Sequence, residues 1–350
     1  MTNREPLRVV AIGGGTGLSA LLQGLKRYAR PDSQPQVDIA AIVTVTDDGG
    51  SSGRLRREFD VLPPGDIRNC IVALSEDETL LSRLFQHRFQ SGHGLKGHSF
   101  GNLFLTALTQ IMGDFPGAVK VSGEVLKMVG RIYPATIANV SLEATLEGGA
   151  EVAGETNISR SRRPIRSIRL RPRTARPVAD TLTAIAEADL ITFGPGSLFT
   201  SVIPNLLVAG IASAIRQSPA IKAYFVNLMW QPGETVNFTA SDHIRAIHKH
   251  ARGKLLDYAI VNVRPVQTAL RKRYERQAAL PVENDIDRIF KMGIQVVTGN
   301  LLLESEKVRH DPAQTANIVL RLAQEGRRRR LAAQRGAPFR AAIRRGTPQQ

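Results

Sequence analysis

Apolar positions along this chain follow two rhythms, and the switches between them mark its elements. Short apolar runs at Leu7 to Ile12, Asp38 to Val45, Leu190 to Phe193, Ala223 to Leu228, Tyr258 to Val263 and Ile294 to Thr298 predict strands. Between them, apolar residues recur at helical spacing over Leu18 to Tyr28, Asp66 to Leu74, Thr79 to Phe89, Asn102 to Met112, Val178 to Ala188, Ile203 to Ser218, Asp242 to His250 and Pro312 to Arg330. Ser141 to Leu146, Glu151 to Thr156 and Ile165 to Leu170 alternate instead, with Gly148-Gly149 as a hairpin turn. Strand and helix in alternation predict one doubly wound α/β domain with a mostly parallel sheet over residues 1–325. It carries a helical block at about 66–132 and a small antiparallel β appendage at about 133–176. No repeat of 20 to 50 residues is visible.

Composition changes this picture in three places. The chain is 42% hydrophobic over 350 residues, enough apolar material for a sizeable core. Cys70 is its one cysteine, which excludes an internal disulfide and a cysteine-rich zinc site and suits a reduced, cytoplasmic setting. The net charge of +16 is local: eight arginines lie in Arg160 to Arg176 and eight more in Gly326 to Gln350, with no acid in either. Residues 326–350 therefore predict a basic, disordered tail that binds polyanions weakly. No aromatic-plus-basic recognition module accompanies the charge, so no specific nucleic-acid partner is expected. Neither a signal peptide nor membrane insertion is expected: the uncharged stretch Phe193 to Ile215 is broken by Gly194, Pro195, Gly196, Pro204 and Gly210.

Candidate chemistry begins at Gly13-Gly14-Gly15-Thr16-Gly17, directly between the first strand and the first helix. A strand, glycine turn and helix aim backbone N–H groups and a helix N-terminus at a phosphate. The spacing lacks the lysine of a nucleotide-triphosphatase loop. Gly15-x-Gly17-x-x-Ala20 satisfies the permissive dinucleotide fingerprint, but Asp47, at the end of the second strand, falls thirty residues past Gly17 rather than about twenty. Nicotinamide hydride chemistry is not expected, and a tight turn that binds nothing is the bland alternative. A second glycine loop, Asp47-Asp48-Gly49-Gly50-Ser51-Ser52-Gly53, ends the second strand and is expected to lie beside the first. Gly194-Pro195-Gly196-Ser197 follows a strand where a backbone anion nest belongs. Asp66 opens a helix as a ligand-facing acid or as a cap, and His98 sits in a glycine-rich loop as a ligand contact or an ordinary loop histidine. Zinc-binding and serine-hydrolase spacings are absent.

The ordered series is more specific than any one loop. It runs Gly13 to Leu18, Asp47 to Leu55, Pro64-Gly65-Asp66-Ile67-Arg68-Asn69, Phe85-Gln86-His87-Arg88-Phe89, Gly97-His98-Ser99-Phe100-Gly101-Asn102, Gly194 to Leu198, and Ala240-Ser241-Asp242-His243. From about Val9 to Leu322 this resembles the bacterial gluconeogenesis factor (YvcK) family, distant relatives of 2-phospho-L-lactate transferase. Departures are Met229 to Thr235, whose Trp-Gln-Pro stretch stands where smaller polar residues are expected, and the arginine tail.

The resemblance implies a Rossmann-like fold, a cytoplasmic location, binding of UDP-sugars such as UDP-N-acetylglucosamine, and regulation linking carbon metabolism to cell-wall synthesis and cell shape. On that reading Gly13, Gly14, Gly15, Thr16, Gly17, Gly194, Gly196, Ser197 and Arg309 bind the diphosphate. Asp47, Asp48, Ser51, Ser52, Asn69, His98, Asn102, Asn227 and Asp242 face sugar or base. No cofactor is required, cell-wall synthesis proteins are candidate partners, and a homo-oligomer is compatible with the sequence. The alternative is a Mg²⁺-dependent transferase acting on a nucleoside-diphosphate-linked donor, with Asp47, Asp48 and Asp66 as metal ligands. A scaffold with an emptied pocket is a third.

Overall fold

Seven parallel strands carry the fold: β1 (Leu7–Gly13), β2 (Val37–Val43) and β3 (Arg131–Pro134), then β7 (Leu190–Phe193), β8 (Ile221–Phe225), β9 (Tyr258–Asn262) and β10 (Gln295–Gly299). Between these groups, β4 (Ser141–Leu146), β5 (Glu151–Ala153) and β6 (Ile165–Arg171) form a separate antiparallel sheet in the order β5-β4-β6. A hairpin of β11 (Leu302–Glu304) and β12 (Val308–His310) precedes the last helix. The structure, a computed structural model, describes residues 5–30, 36–75 and 80–334.

The main sheet runs β10-β9-β8-β7-β1-β2-β3. From β1 the chain winds outward to β3, then returns to place β7 against the other side of β1, with Ile12 paired to Phe193 just before both loops. The strand order therefore reverses between β1 and β7, where open α/β sheets form a ligand crevice. Ile12, Ile42, Phe193 and Phe225 are fully buried along this seam.

The first crossover helix, Gly15–Lys26, buries Leu18, Leu21, Leu22 and Leu25, one apolar stripe at helical spacing. It packs against helices Gly65–Leu74 and Pro312–Gln334. Gly24 sits mid-helix because a side chain there would collide with the Pro312 carbonyl.

Several expectations need correction. The second glycine loop is short, because a helix spans Gly50–Phe59 and absorbs its Gly50-Ser51-Ser52-Gly53 half. The helical block ends early: after helix Phe115–Val125 the chain enters β3, a strand too short to separate from helix by periodicity. Glu151 to Thr156 is not one strand, since β5 stops at Ala153 and helix Glu155–Arg160 begins. Ile203 to Ser218 is split into Ile203–Leu207 and Ile211–Gln217 by Gly210 at φ +100°, after a π-helical turn at Leu198–Val202. Helices Thr268–Glu275 and Ile286–Lys291 carried no clear periodic signal. Of Thr79 to Phe89, Thr79 lies outside the described residues and the helix covers Leu80–Gln86.

The basic tail is corrected as well. The last helix runs through to Gln334, and Arg327 and Arg330 both pair with the fully buried Asp189, at 2.6 and 2.9 Å. Gly326 lets the helix close on the Asp189 backbone. Residues 326–330 are thus docked, the helix continues to Gln334, and 335–350 lie outside the described residues. Among the described residues no single helix is long and apolar enough to cross a membrane; Leu198–Leu207 and Ile211–Gln217 form a pair bent by 79°.

Candidate functional site

A cleft of about 470 Å³ opens at the β1/β7 switch point, within the size of small-molecule sites. Its walls are Gly14 to Gly17 after β1, Pro195 to Ser197 after β7, Asn227 to Pro232 after β8, and Val308 to His310 of β12. Gly15 adopts φ +63°, a left-handed turn that brings the chain from strand into helix within one residue. The amides of a first helical turn have no partners within the helix, so those of Thr16 and Gly17 are free for an anion. The two glycine loops interlock: a side chain at Gly17 would come within 2.5 Å of the Pro195 carbonyl.

Beneath the cleft, Gly13 is fixed by its carbonyl, which accepts from the Thr44 amide at 3.0 Å and Asn205 Nδ2 at 3.2 Å. Gly194 donates to the Ile12 carbonyl at 2.8 Å. These two glycines shape the loops and do not line the cleft themselves.

A hydrogen-bond chain orients Ser197. Tyr224 Oη donates to Asn227 Oδ1 at 3.0 Å, Asn227 Nδ2 to Gln231 Oε1 at 2.9 Å, and Gln231 Nε2 to Ser197 Oγ at 2.7 Å. Ser197 accepts in this chain, which leaves its own O–H to donate to a ligand. Trp230 is held by its Nε1–H, which donates to the Phe238 carbonyl at 3.0 Å, and its indole lines the cleft with Tyr274. Arg309 reaches the same cleft from β12. His310, buried beside it, is held neutral by desolvation, its pKa lowered to about 4.

Carboxyl groups gather around the loops. Asp66, in the first turn of its helix, accepts from the Gly15 amide and lies against Gly14. Burial first and then Asp47 push its carboxyl up to about 6. Glu155, which accepts from Thr46 Oγ1 at 3.1 Å, is raised well above the carboxylate range by burial and then by Asp66 and Asp47. Glu234 lines the cleft and is raised to about 7 by burial, while the Phe199 amide and Thr200 Oγ1 donate to it at 3.1 Å.

The remaining sequence candidates lie outside the cleft lining. Asp47 Oδ1 accepts from the Gly49 amide at 2.9 Å. Asp48 accepts from the amide and hydroxyl of Thr156 at 2.9 and 2.6 Å, tying the β appendage to the main sheet. Ser51 Oγ meets His98 Nδ1 at 3.0 Å, Asn102 Nδ2 donates to Ser52 Oγ at 3.4 Å, and Asn69 accepts from Arg68 at 2.6 Å. Asp242 closes a capping box with Thr239 and pairs with Arg245. Asn227 alone of the sugar and base candidates lines the cleft.

Among the described residues no three His, Cys, Asp or Glu side chains are arranged to hold a metal ion. The set Asp47, Asp48 and Asp66 is divided, because Asp48 is turned to Thr156. Asp47 and Asp66 remain electrostatically coupled, and two carboxylates with ligand phosphates are a donor set Mg²⁺ commonly uses. The sequence reading missed Trp230, Gln231, Glu234, Tyr274, His310 and Glu155 as site residues. The one sequence signal there is Met229 to Thr235, a departure from the expected pattern.

This architecture, an α/β sheet with glycine loops at its switch point, matches over residues 9–302 the family described as 2-phospho-L-lactate transferase CofD. The chain is 45% identical over 313 residues to the gluconeogenesis factor of Halalkalibacterium halodurans, covering 89% of this chain and 95% of that protein. It is 44% identical over 319 residues to the gluconeogenesis factor of Bacillus subtilis, covering 91% and 98%. A crystal structure of a UPF0052-family protein from Bacillus halodurans superposes with a TM-score of 0.86 at 44% identity, covering 91% of this chain and all of that one. The chain belongs to the gluconeogenesis factor family, a branch of the CofD-like proteins.

Proposed function

We propose that the chain is a cytoplasmic regulator that binds a nucleoside diphosphate sugar of the UDP-N-acetylglucosamine type and couples its level to cell-wall synthesis and cell shape during gluconeogenic growth. The observation that carries the ligand class is the cleft itself. Free first-turn amides of Thr16 and Gly17, the oriented Ser197 hydroxyl and Arg309 converge on one space. The diphosphate sits on these groups, Asn227 meets a ligand hydroxyl, and the base lies toward Trp230 and Tyr274. Cell-wall synthesis proteins are the partners this role calls for.

The second reading is a transferase acting on a nucleoside-diphosphate-linked donor, and the raised carboxyls of Asp66 and Glu155 favour it. Carboxyls whose pKa values burial raises, beside a phosphate loop, suit acid–base work. In that case Asp47 and Asp66 would hold Mg²⁺, which supplies charge neutralisation at the phosphates.

Trp230, the chain's one tryptophan, lines the cleft and makes the test direct. Titration with UDP-N-acetylglucosamine should change its emission saturably without Mg²⁺, and more than GDP or NAD⁺ does. An unchanged signal, with no competition against any other nucleotide probe, removes the nucleotide reading. Stoichiometric release of a nucleotide during long incubation moves the assignment to the transferase.

A further inference from the structure

We propose a second binding site, distinct from the nucleotide cleft, for a small phosphate ester that carries a free hydroxyl. It lies where three helices begin together: Gly50–Phe59, Gly65–Leu74 and Phe100–Met112. Gly65 lies against Ser52 so closely that a side chain would collide with its hydroxyl. The Ser99 amide donates to Ser51 Oγ at 3.4 Å, and the Arg68 stem runs along Gly101, where a Cβ would come within 2.8 Å of Cδ. All three helix starts are therefore in mutual contact and bring the positive ends of three helix dipoles together, although in Phe100–Met112 the Phe100 amide donates to the His87 carbonyl at 2.9 Å and the Asn102 amide to Ser99 Oγ at 3.2 Å.

Two further observations point to an occupant. Asn102 is 2% exposed, yet its Oδ1 has no hydrogen-bond partner among the described residues, and the buried Nε of Arg68 has none either. Buried polar atoms are ordinarily paired, so an unmatched acceptor and an unmatched donor on two helix starts that touch mark a place shaped for a polar guest. The donor suits a phosphoryl oxygen, and the acceptor suits a hydroxyl.

The charge around the cluster agrees. Arg54 donates to the Lys96 carbonyl at 2.8 Å and Arg88 to the Gly97 carbonyl at 2.6 Å, which fixes both guanidiniums around the loop that carries His98. Arg68 feels Arg88 as a like charge, and His98 feels both Arg54 and Arg88. No carboxylate forms an ion pair with Arg54, Arg68 or Arg88 among the described residues; the acids that act on this group at longer range are Asp47 and Asp66 toward Arg68, and Glu58 toward His98. Crowded arginines beside three helix starts are the arrangement an anion stabilises. Ser51, Ser52, Asn69 and His98, grouped from the sequence as contacts to a sugar or base, frame this cradle through protein hydrogen bonds, and of that group Asn102 keeps an acceptor for a guest. The two sites stand back to back, since Gly65 touches the cradle and Asp66 touches Gly14 of the cleft.

Calorimetric titration of the full chain with glycerol 3-phosphate, inorganic phosphate and glycerol tests the proposal. Glycerol 3-phosphate should bind saturably and more tightly than phosphate, and glycerol should not bind. Arg88→Gln, at an exposed position, should weaken binding by about tenfold, and Asn102→Asp should abolish it by placing a negative charge in the cradle. Arg309→Gln, in the cleft, should leave it unchanged. Absence of saturable binding by the wild-type chain overturns the proposal, as does binding that Arg309→Gln removes and Arg88→Gln spares. Equal affinity for phosphate and glycerol 3-phosphate overturns the hydroxyl subsite. Should Asn102→Asp lose its fold by circular dichroism, Arg88→Gln decides the question alone.

Discussion

The loops after β1 and β2 look alike in composition and stand side by side, yet they use their polar groups in opposite ways. The first, Gly13 to Gly17, keeps side-chain chemistry away from its leading edge and leaves amides facing a cleft. The second, Asp47 to Gly53, turns its polar groups inward and sideways: Asp47 to Gly49, Asp48 to Thr156, Ser51 to His98 and Ser52 to Asn102. Glycine enrichment at a strand's carboxyl end marks close backbone approach. Whether the partner is a ligand or the rest of the protein depends on what the neighbouring side chains already satisfy.

The largest effect should come from the first loop. Gly15→Val places a β-branched side chain at φ +63°, on the side of the turn that faces the cleft. Nothing nearer than Ser201 Oγ at 3.9 Å blocks it, so the chain should still fold, with backbone strain of about 1–3 kcal/mol. Nucleotide affinity, read by Trp230 fluorescence, should fall by about 100-fold or more, equivalent to about 2.7 kcal/mol. Unchanged affinity would take the phosphate away from this loop.

Asp48→Ala inverts the result if the contrast between the loops holds. Removing a carboxylate that accepts two hydrogen bonds from Thr156 should lower the urea-unfolding free energy by about 2 kcal/mol and loosen the β appendage. Nucleotide affinity of the folded protein should stay within about twofold, a change of roughly 0.4 kcal/mol. A large affinity loss with unchanged stability would mean that Asp48 leaves Thr156 for the ligand.

The same contrast explains what the sequence made legible. Strands such as Leu190 to Phe193 were clear because a buried parallel strand leaves an uninterrupted apolar run. The cleft's glycine loops were clear because positive φ and close backbone approach leave few residue choices. The carboxyl partners were not. Glu155 reaches Thr46 across 109 residues of chain, and Asp189 draws Arg327 from 138 residues away, so neither has a local pattern to read. The arginine run reads as a tail for the same reason: a single fully buried aspartate makes Arg327 and Arg330 part of the docked helix, and composition does not carry that information.

The smallest effect concerns the acid that joins the two loops. Asp66 holds its proton up to about pH 6 in the folded protein, against an ordinary value of 3.8. Its contribution to stability is therefore fully present below 3.8 and is lost as pH rises through about 6. Glu234, raised to about 7, acts in the same sense. His243 and His310, lowered from 6.5 to about 4, act in the opposite sense: their contribution is present above 6.5 and is lost as pH falls through about 4. The wild-type profile blends both groups, so the informative quantity is the difference between wild type and Asp66→Asn. An asparagine keeps the acceptor for the Gly15 amide without the charge. Full linkage for a shift of this size is about 3 kcal/mol, and partial solvent access to Asp66 reduces it to about 1.5 kcal/mol. The variant should gain that much over wild type between pH 4 and pH 8, measured by urea unfolding at each pH. It should also bind the nucleotide more tightly than wild type at pH 8 and equally at pH 5, because only the ionised aspartate repels a diphosphate. A pH-independent difference would mean that Asp66 ionises like a surface carboxylate, and the first loop would then hold a permanent negative charge against its ligand.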